Sequence, residues 1–335
     1  MENFRFALVT ADQANSVKLK WNYDRDDCTG FMSWVPIWDG VLYSFDAMKI
    51  DFSILYEYDC VMFSGHPYYL NEIISMATAL KGKVVTMFLP EGDLSLYDLN
   101  GINSFNTEIY KAWNAVDILA SMEEDKSSYY SLFTDALVKF IHVPIDENME
   151  KGLFKIPCSQ KSQNILVYGD NNPNCPVTAI AIAKKINRPL VTVCIDEQKV
   201  SQIKQLFNVN IEYAISKLGQ YPYLRVLGRC YLNIYPTRWI GSSRQSIACA
   251  VVGTPCIGSN RSHTQKRLFP QLSCDIYDVD KMTNLALRLY SDKDFYNEIV
   301  NYAWEQLPFY NLENTKKRFM DAYNEIRERW KINVN

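Results

Sequence analysis

Residues able to hold an anion concentrate between Tyr235 and Ser259. A short apolar strand, Tyr231 to Tyr235, runs into a polar turn containing Pro236, Gly241, Ser242 and Ser243. A helix of small residues follows from about Gln245 to Val252, and Thr254 to Ile257 begins a new strand. Ser242 or Ser243 can cap that helix, since a side-chain oxygen accepts from a first-turn N–H. Gly253 suits the left-handed position that ends a helix. A helix N-terminus leaving a strand–turn–helix unit favours anions through its free N–H groups and its dipole. Arg238 and Arg244 flank the turn, where a guanidinium can grip phosphate oxygens with a planar fork. Gln245 can hydrogen-bond a ribose or sugar hydroxyl, and Arg261, His263 and Lys266 follow the next strand. The same pattern also fits an ordinary buried βαβ crossover.

Acid–base chemistry needs carboxylates or imidazoles at strand ends. Asp12, His66, Glu91 and Asp93 occupy such positions, with Glu123 and Glu124 behind the strand ending at Ser121. Between Lys18 and Gly40, Trp21, Tyr23, Phe31, Trp34 and Trp38 alternate with Asp24, Arg25, Asp26 and Asp27. Aromatic faces beside carboxylates suit sugar or base stacking, although a loop or short helix folded back on the core also explains them. His66, His142 and His263 lack the spacing of metal ligands, so no metal site is expected. His142 reads as structural.

The elements positioning these residues alternate strand and helix. Strands are expected at 4–10, 59–64, 83–89, 117–121 and 139–143, with helices reaching Leu80 and covering 103–114 and 126–137. A polar run, 147–163, separates this half from a second. There, strands at 164–168, 190–195, 209–213, 231–235, 254–257 and 274–277 alternate with helices at 177–186, 197–207, 223–230 and 245–252. Helices at 281–291, 294–306 and 312–330 finish the chain. The implied fold class is α/β, with doubly wound parallel sheets covered on both faces. Ligands of such sheets bind beyond the carboxyl ends of the strands.

The chain has 335 residues, enough for two domains. Its 48% apolar and 22% charged content is that of a globular protein. A net charge of −3 gives no general attraction to nucleic acid or anionic membranes. Nine cysteines without a CxxC pair read as reduced thiols. The chain enters a strand directly with no secretory leader, and no apolar run is long enough to span a bilayer; a cytoplasmic protein is expected. The glycine fingerprint of a dinucleotide site is absent, so hydride transfer is not expected.

In order along the chain, several pieces resemble GT-B glycosyltransferases, nearest the large retaining family (family 4-like) that uses nucleotide-diphosphate sugars. Asp117-Ile-Leu-Ala-Ser121 resembles that family's "aspartate, apolar pair, small, serine" strand. His142-Val-Pro-Ile-Asp146 resembles its interdomain turn. Leu218-Gly219-Gln220, with Cys230 to Pro236, resembles the base-binding turn and following strand, and Gly253-Thr-Pro-Cys-Ile-Gly-Ser259 the Gly-x-Pro-Val turn. The resemblance covers essentially the whole chain. It implies two Rossmann-like domains facing a central cleft: an acceptor-side domain at 1–146, a linker at 147–163 and a nucleotide-sugar domain at 164–310. A last helix at 311–335 would cross back to the first domain. It further implies a UDP- or GDP-sugar as donor, bound by Gly219, Arg238, Ser242, Ser243, Arg244 and Gln245. His66, Glu91 and Asp93 become the catalytic candidates, and Asp12, Trp21 and Trp34 the acceptor-binding ones.

The donor residues themselves depart from that family. Its two glutamates fall here on Ile240 and Ala248, and the loop after the second domain's first strand, 170–176, has no cation in place of the usual Arg and Lys. A histidine after the strand at 84–88 is also missing. Three readings follow: a glycosyltransferase with a small-molecule or glycan acceptor, one of viral type acting on nucleic-acid bases, or a GT-B binding protein without activity. A sugar-nucleotide epimerase shares the architecture and ranks below these.

Overall fold

Continuous apolar runs such as Phe6-Ala-Leu-Val-Thr10 and Val84-Val-Thr-Met-Phe-Leu89 are what parallel strands buried on both faces require. The computed structural model of the chain describes residues 4–11, 34–65, 67–89, 107–122, 124, 127–169, 174–193, 195, 197–215, 218–237 and 244–332. These form two units. One holds the described residues through Ile145 together with those from Tyr310 onward, and the other is Asp146–Phe309.

The first unit is built on β1 (Phe6–Thr10), β2 (Val41–Ser44), β3 (Cys60–Ser64), β4 (Val84–Leu89), β5 (Ile118–Ser121) and β6 (Leu137–Phe140). Its helices are α1 (Trp34–Ile37), α2 (Phe45–Ile50), α3 (Leu70–Ala79), α4 (Thr107–Ala115) and α5 (Ser127–Tyr130). The strands form a six-stranded parallel sheet in the order β2-β1-β3-β4-β5-β6. Alternate residues of β1 feed opposite faces, as the strand period dictates. Ala7 and Val9 pack with Phe63, Ile73 and Trp113, while Phe6 and Leu8 pack with Met62 and Phe88.

In the second unit, α6 (Glu147–Glu150) precedes β7 (Ile165–Tyr168), α7 (Asn174–Lys185), β8 (Leu190–Val193), α8 (Glu197–Phe207) and β9 (Ile211–Ile215). Then come α9 (Gln220–Arg229), β10 (Leu232–Tyr235), α10 (Arg244–Val252), β11 (Cys256–Ser259), α11 (His263–Leu268), β12 (Ser273–Cys274), α12 (Val279–Ser291) and α13 (Lys293–Gln306). The sheet order is β12-β11-β10-β7-β8-β9, again parallel throughout. The final helix, α14 (Leu312–Ile332), returns to the first unit, where Phe319, Ala322 and Ile326 join the core against Phe6, Met62 and Phe88. That spacing of three and four residues is one helix face.

Several elements differ from the sequence reading. The strand β2 and helix α2 lie just after the aromatic segment at 18–40, where no element was expected. Ser44 ends the strand and caps the helix at once, its side chain accepting from Ala47 N–H, so no turn residues mark the boundary. The helix expected over 126–137 is a single turn, α5, because Leu137 already belongs to β6, paired with Ile118. Helix α9 starts at Gln220, not Tyr223, since Pro222 is tolerated inside a first turn. A short helix, α11, follows β11, capped by Ser262.

Candidate functional site

In a doubly wound sheet the site lies beyond the strand ends where the strand order reverses. The second sheet reverses between β7 and β10, which are parallel neighbours. Each ends on a tyrosine: Tyr168 closes β7 and Tyr235 closes β10, with ring centroids 6.4 Å apart, edge to face. A third ring, Tyr223 of α9, stands 5.6 Å from Tyr168.

Two residues expected to bind the donor meet through that third tyrosine. Gly219 is buried and caps α9, its carbonyl accepting from Tyr223 N–H at 2.9 Å. At the other end of Tyr223 the hydroxyl donates to Gln245 Oε1. Gln245 is the second residue of α10 and only 8% exposed. Its amide Nε2 is buried and has no hydrogen-bond partner among the described residues. An unsatisfied buried donor costs about 1–3 kcal/mol, so such a group calls for a partner.

A second glutamine nearby shows the contrast. Gln265 is buried too, but its Oε1 accepts from Ser246 Oγ at 2.7 Å and its Nε2 donates to Cys256 O at 2.7 Å. Gly258 makes room for it, since a Cβ there would stand 2.7 Å from Gln265 Cδ. Both ends of Gln265 are used; among the described residues, only one end of Gln245 is.

The helix carrying Gln245 is anchored at its far end by the turn the sequence announces. Gly253 adopts φ +67°, Thr254 N–H reaches Cys249 O at 2.9 Å, and Gly253 N–H reaches Ala250 O at 3.2 Å. This is a Schellman ending, and it satisfies carbonyls that the helix leaves open. Arg244, exposed at the helix start, adds a positive charge to the positive end of the dipole. After β11, Ser262 accepts from Gln265 N–H, and His263 lies buried with its ring 6.3 Å from Phe309.

Electrostatics set the state of these groups. Burial pushes the Tyr223 phenol well above its ordinary value, so it remains a protonated donor. Elsewhere in the unit, Lys161 is buried and its amine is lowered to about 8, again by burial. It donates to Gly228 O, Val252 O and Thr254 Oγ1, tying the C-terminal ends of α9 and α10 together.

In the first unit the order reverses between β1 and β3, whose ends are Thr10 and Ser64. Asp12 and His66 come directly after these strands in sequence. Those two, with Trp21, Glu91, Asp93, Arg238, Ser242 and Ser243, lie outside the described residues. Trp34 is the first residue of α1. His142 is fully buried, its Nδ1 against Val143 O and its ring 4.8 Å from Tyr310. Among the described residues, no group of three or more His, Cys, Asp or Glu could hold a metal ion. Nor is any described helix long and apolar enough to cross a membrane.

Tyr168 and Tyr223 escaped the sequence reading. Tyr168 had one signal, its place as the last residue before Gly169 in the first strand of the second half. Tyr223 had only its distance of one helical turn from Gly219.

No protein-family model matches this sequence, and a search of curated proteins finds no relative. Solved structures do match in fold. A sucrose-phosphate synthase from Thermosynechococcus elongatus superposes with a TM-score of 0.72 at 12% identity, over 98% of this chain and 100% of that one. Anabaena Alr3699/HepE, in complex with UDP, gives 0.70 at 8% identity, over 96% and 100%. A TarM variant of S. aureus, in complex with fondaparinux, alpha-GlcNAc-glycerol and UDP, gives 0.64 at 12% identity, over 79% of this chain and 55% of that one. Against TarM, then, the chain spans about half the other protein's length. At such identities the likeness establishes the fold, two Rossmann-like domains of the GT-B architecture.

Proposed function

We propose that the chain transfers a sugar from a nucleotide-diphosphate sugar, most simply a UDP-sugar, to an acceptor hydroxyl. One observation carries the reading. The Nε2 of Gln245, buried and without a partner among the described residues, stands on the first turn of α10, at the reversal point of a doubly wound sheet. A polar group left open there suits a ligand held by a helix N-terminus. That HepE and TarM were solved with UDP supports a nucleotide donor, and the aromatic edge of Tyr168, Tyr223 and Tyr235 suits a base or sugar face.

Glycosyl transfer requires the departing diphosphate to be stabilised as it takes up negative charge. Gln245, Arg244 and the first-turn N–H groups of α10 would serve that purpose, with Arg238, Ser242 and Ser243 completing the turn. Gly219 would hold the base side. His66, Glu91 and Asp93 are the candidates for activating the acceptor, and Asp12, Trp21 and Trp34 for positioning it. An inverting reaction would need one of the three as base; a retaining one would rely chiefly on phosphate neutralisation. No metal is required by this set, since cationic and N–H donors can take the charge.

A thermal-shift screen against nucleoside diphosphates and their sugars, with and without Mg²⁺, tests the reading. A ligand that binds only the folded state raises the midpoint. A rise with one nucleotide sugar, followed by release of its diphosphate in the presence of acceptors, is the expected outcome. Binding without any turnover would favour an inactive GT-B binding protein, and no rise with any nucleotide would overturn the proposal.

A further inference from the structure

The donor reading leaves open which atom of the ligand meets Gln245. A glutamine amide has two faces, a carbonyl that accepts and an NH₂ that donates, and its neighbours decide which one a ligand sees. Here Tyr223 decides. Its hydroxyl donates to Oε1 of Gln245 and leaves the NH₂ end buried, with no partner among the described residues. The phenol stays protonated because burial raises its pKa well above the ordinary value. Gln265, equally buried, has both its ends bonded, so the half-bonded state belongs to Gln245 and not to glutamines in this core generally.

We infer that Tyr223 is a positioning residue that fixes Gln245 as a donor, making the first turn of α10 a reader of phosphate oxygens and not of ribose or sugar hydroxyl protons. This rests on the nucleotide-sugar reading above and sharpens it. The groups that the described residues bring to this turn are donors in kind: the amide NH₂, backbone N–H groups and the Arg244 guanidinium. The matching ligand atom is an oxygen that bears charge and carries no proton, which a diphosphate supplies. A hydroxyl pair is best read by a carboxylate, which accepts from both; an amide NH₂ accepts from neither.

Isothermal titration of the full chain with UDP and with 2′,3′-dideoxy-UDP tests this, using wild type, Gln245→Leu, Gln245→Glu, Tyr223→Phe and the double variant Tyr223→Phe/Gln245→Leu. Thermal midpoints in the absence of ligand confirm that each variant is folded. Loss of a charge-assisted bond predicts UDP binding about tenfold weaker or more in Gln245→Leu, and weaker still in Gln245→Glu, whose carboxylate faces phosphate. The wild-type to Gln245→Leu ratio stays the same for the dideoxy nucleotide. Tyr223→Phe weakens binding on its own but adds nothing to Gln245→Leu, because it acts through that side chain. A Gln245→Glu protein that binds UDP as tightly as wild type would overturn the inference in favour of a hydroxyl donor, as would a ratio that collapses with dideoxy-UDP. Wild-type UDP binding that no variant alters would overturn it while leaving the nucleotide reading intact. Wild type that binds no nucleoside diphosphate would sink both.

Discussion

Lys161 Nζ donates to Thr254 Oγ1 at 2.8 Å, joining the segment before β7 to the turn that ends α10. The same amine reaches Gly228 O at 2.6 Å and Val252 O at 3.3 Å. A cation near the C-terminal carbonyls of two helices is well placed against their dipoles. No carboxylate shares the bond set, however, so burial works against the charge. The folded amine titrates at about 8, against an ordinary 10.5. Between those values the unfolded chain binds more protons than the folded one, so this group makes stability rise with pH across that window. The slope is at most about 1.4 kcal/mol per pH unit. Denaturant melts at pH 7.5 to 9.5 (a range on the order of the pKa gap) check this by comparison with Lys161→Met. Cys60, Cys230, Cys249 and Cys274, whose thiols burial raises, act in the opposite sense from about pH 9 upward, so the readout is the stability of the wild type relative to the variant, which should rise across this range. Tyr231, Tyr290 and Tyr296, whose phenols burial raises, act in the opposite sense but only above about pH 10.

Removing the amine also takes a donor from its acceptors, although Val252 O keeps its bond from Ile156 N–H at 3.1 Å. Lys161→Ala leaves Gly228 O and Val252 O without this donor and opens a cavity, and should cost about 2–4 kcal/mol by urea denaturation. A variant as stable as the parent would show that the amine contributes nothing net.

Gly253→Val should destabilise the second unit by about 1–3 kcal/mol. The backbone there is left-handed at φ +67°, and a Cβ would meet Lys155 Cγ and Val300 Cγ1 at 3.4 Å. Contact at that distance is ordinary, so the cost comes from the dihedral. The same assay on Gly253→Asn should show a smaller loss, because asparagine tolerates the left-handed region.

The return of α14 to the first unit rests on packing more than on charge. Phe319 is fully buried against Phe6, Phe4 and Trp38, and Phe319→Ala should cost about 3–5 kcal/mol. Glu325 pairs with Lys139 at 3.0 Å and Arg329 at 2.8 Å, but all three are partly exposed. Glu325→Gln should therefore change stability by about 1 kcal/mol or less. Equal losses in the two variants, measured in the same denaturant series, would contradict this division.

How far these features can be read from residues alone depends on how local their signals are. Gly253 was legible because a helix of small residues stops at a single glycine before Thr-Pro, and the left-handed ending follows from nearby chemistry. The parallel strands β3, β4 and β5 were legible as apolar runs with polar edges. The strand β2 was not, because Val41-Leu-Tyr-Ser44 is short and passes into a helix without a turn. Gln245 could be named as a donor-side candidate from its place at a helix start. Its polarity could not, because Tyr223 reaches it only once the sheet order brings α9 beside α10.

Hydrogen exchange measured by mass spectrometry, with and without the nucleotide sugar that gives the largest thermal shift, tests the central claim most directly. Bound donor should slow exchange in peptides covering 165–169, 218–224 and 244–252, the segments that carry Tyr168, Gly219, Tyr223 and Gln245. Gln245→Leu should reduce that protection at the same ligand concentration. Saturating ligand that protects only segments of the first unit, or none at all, would contradict a donor site at the β7–β10 edge.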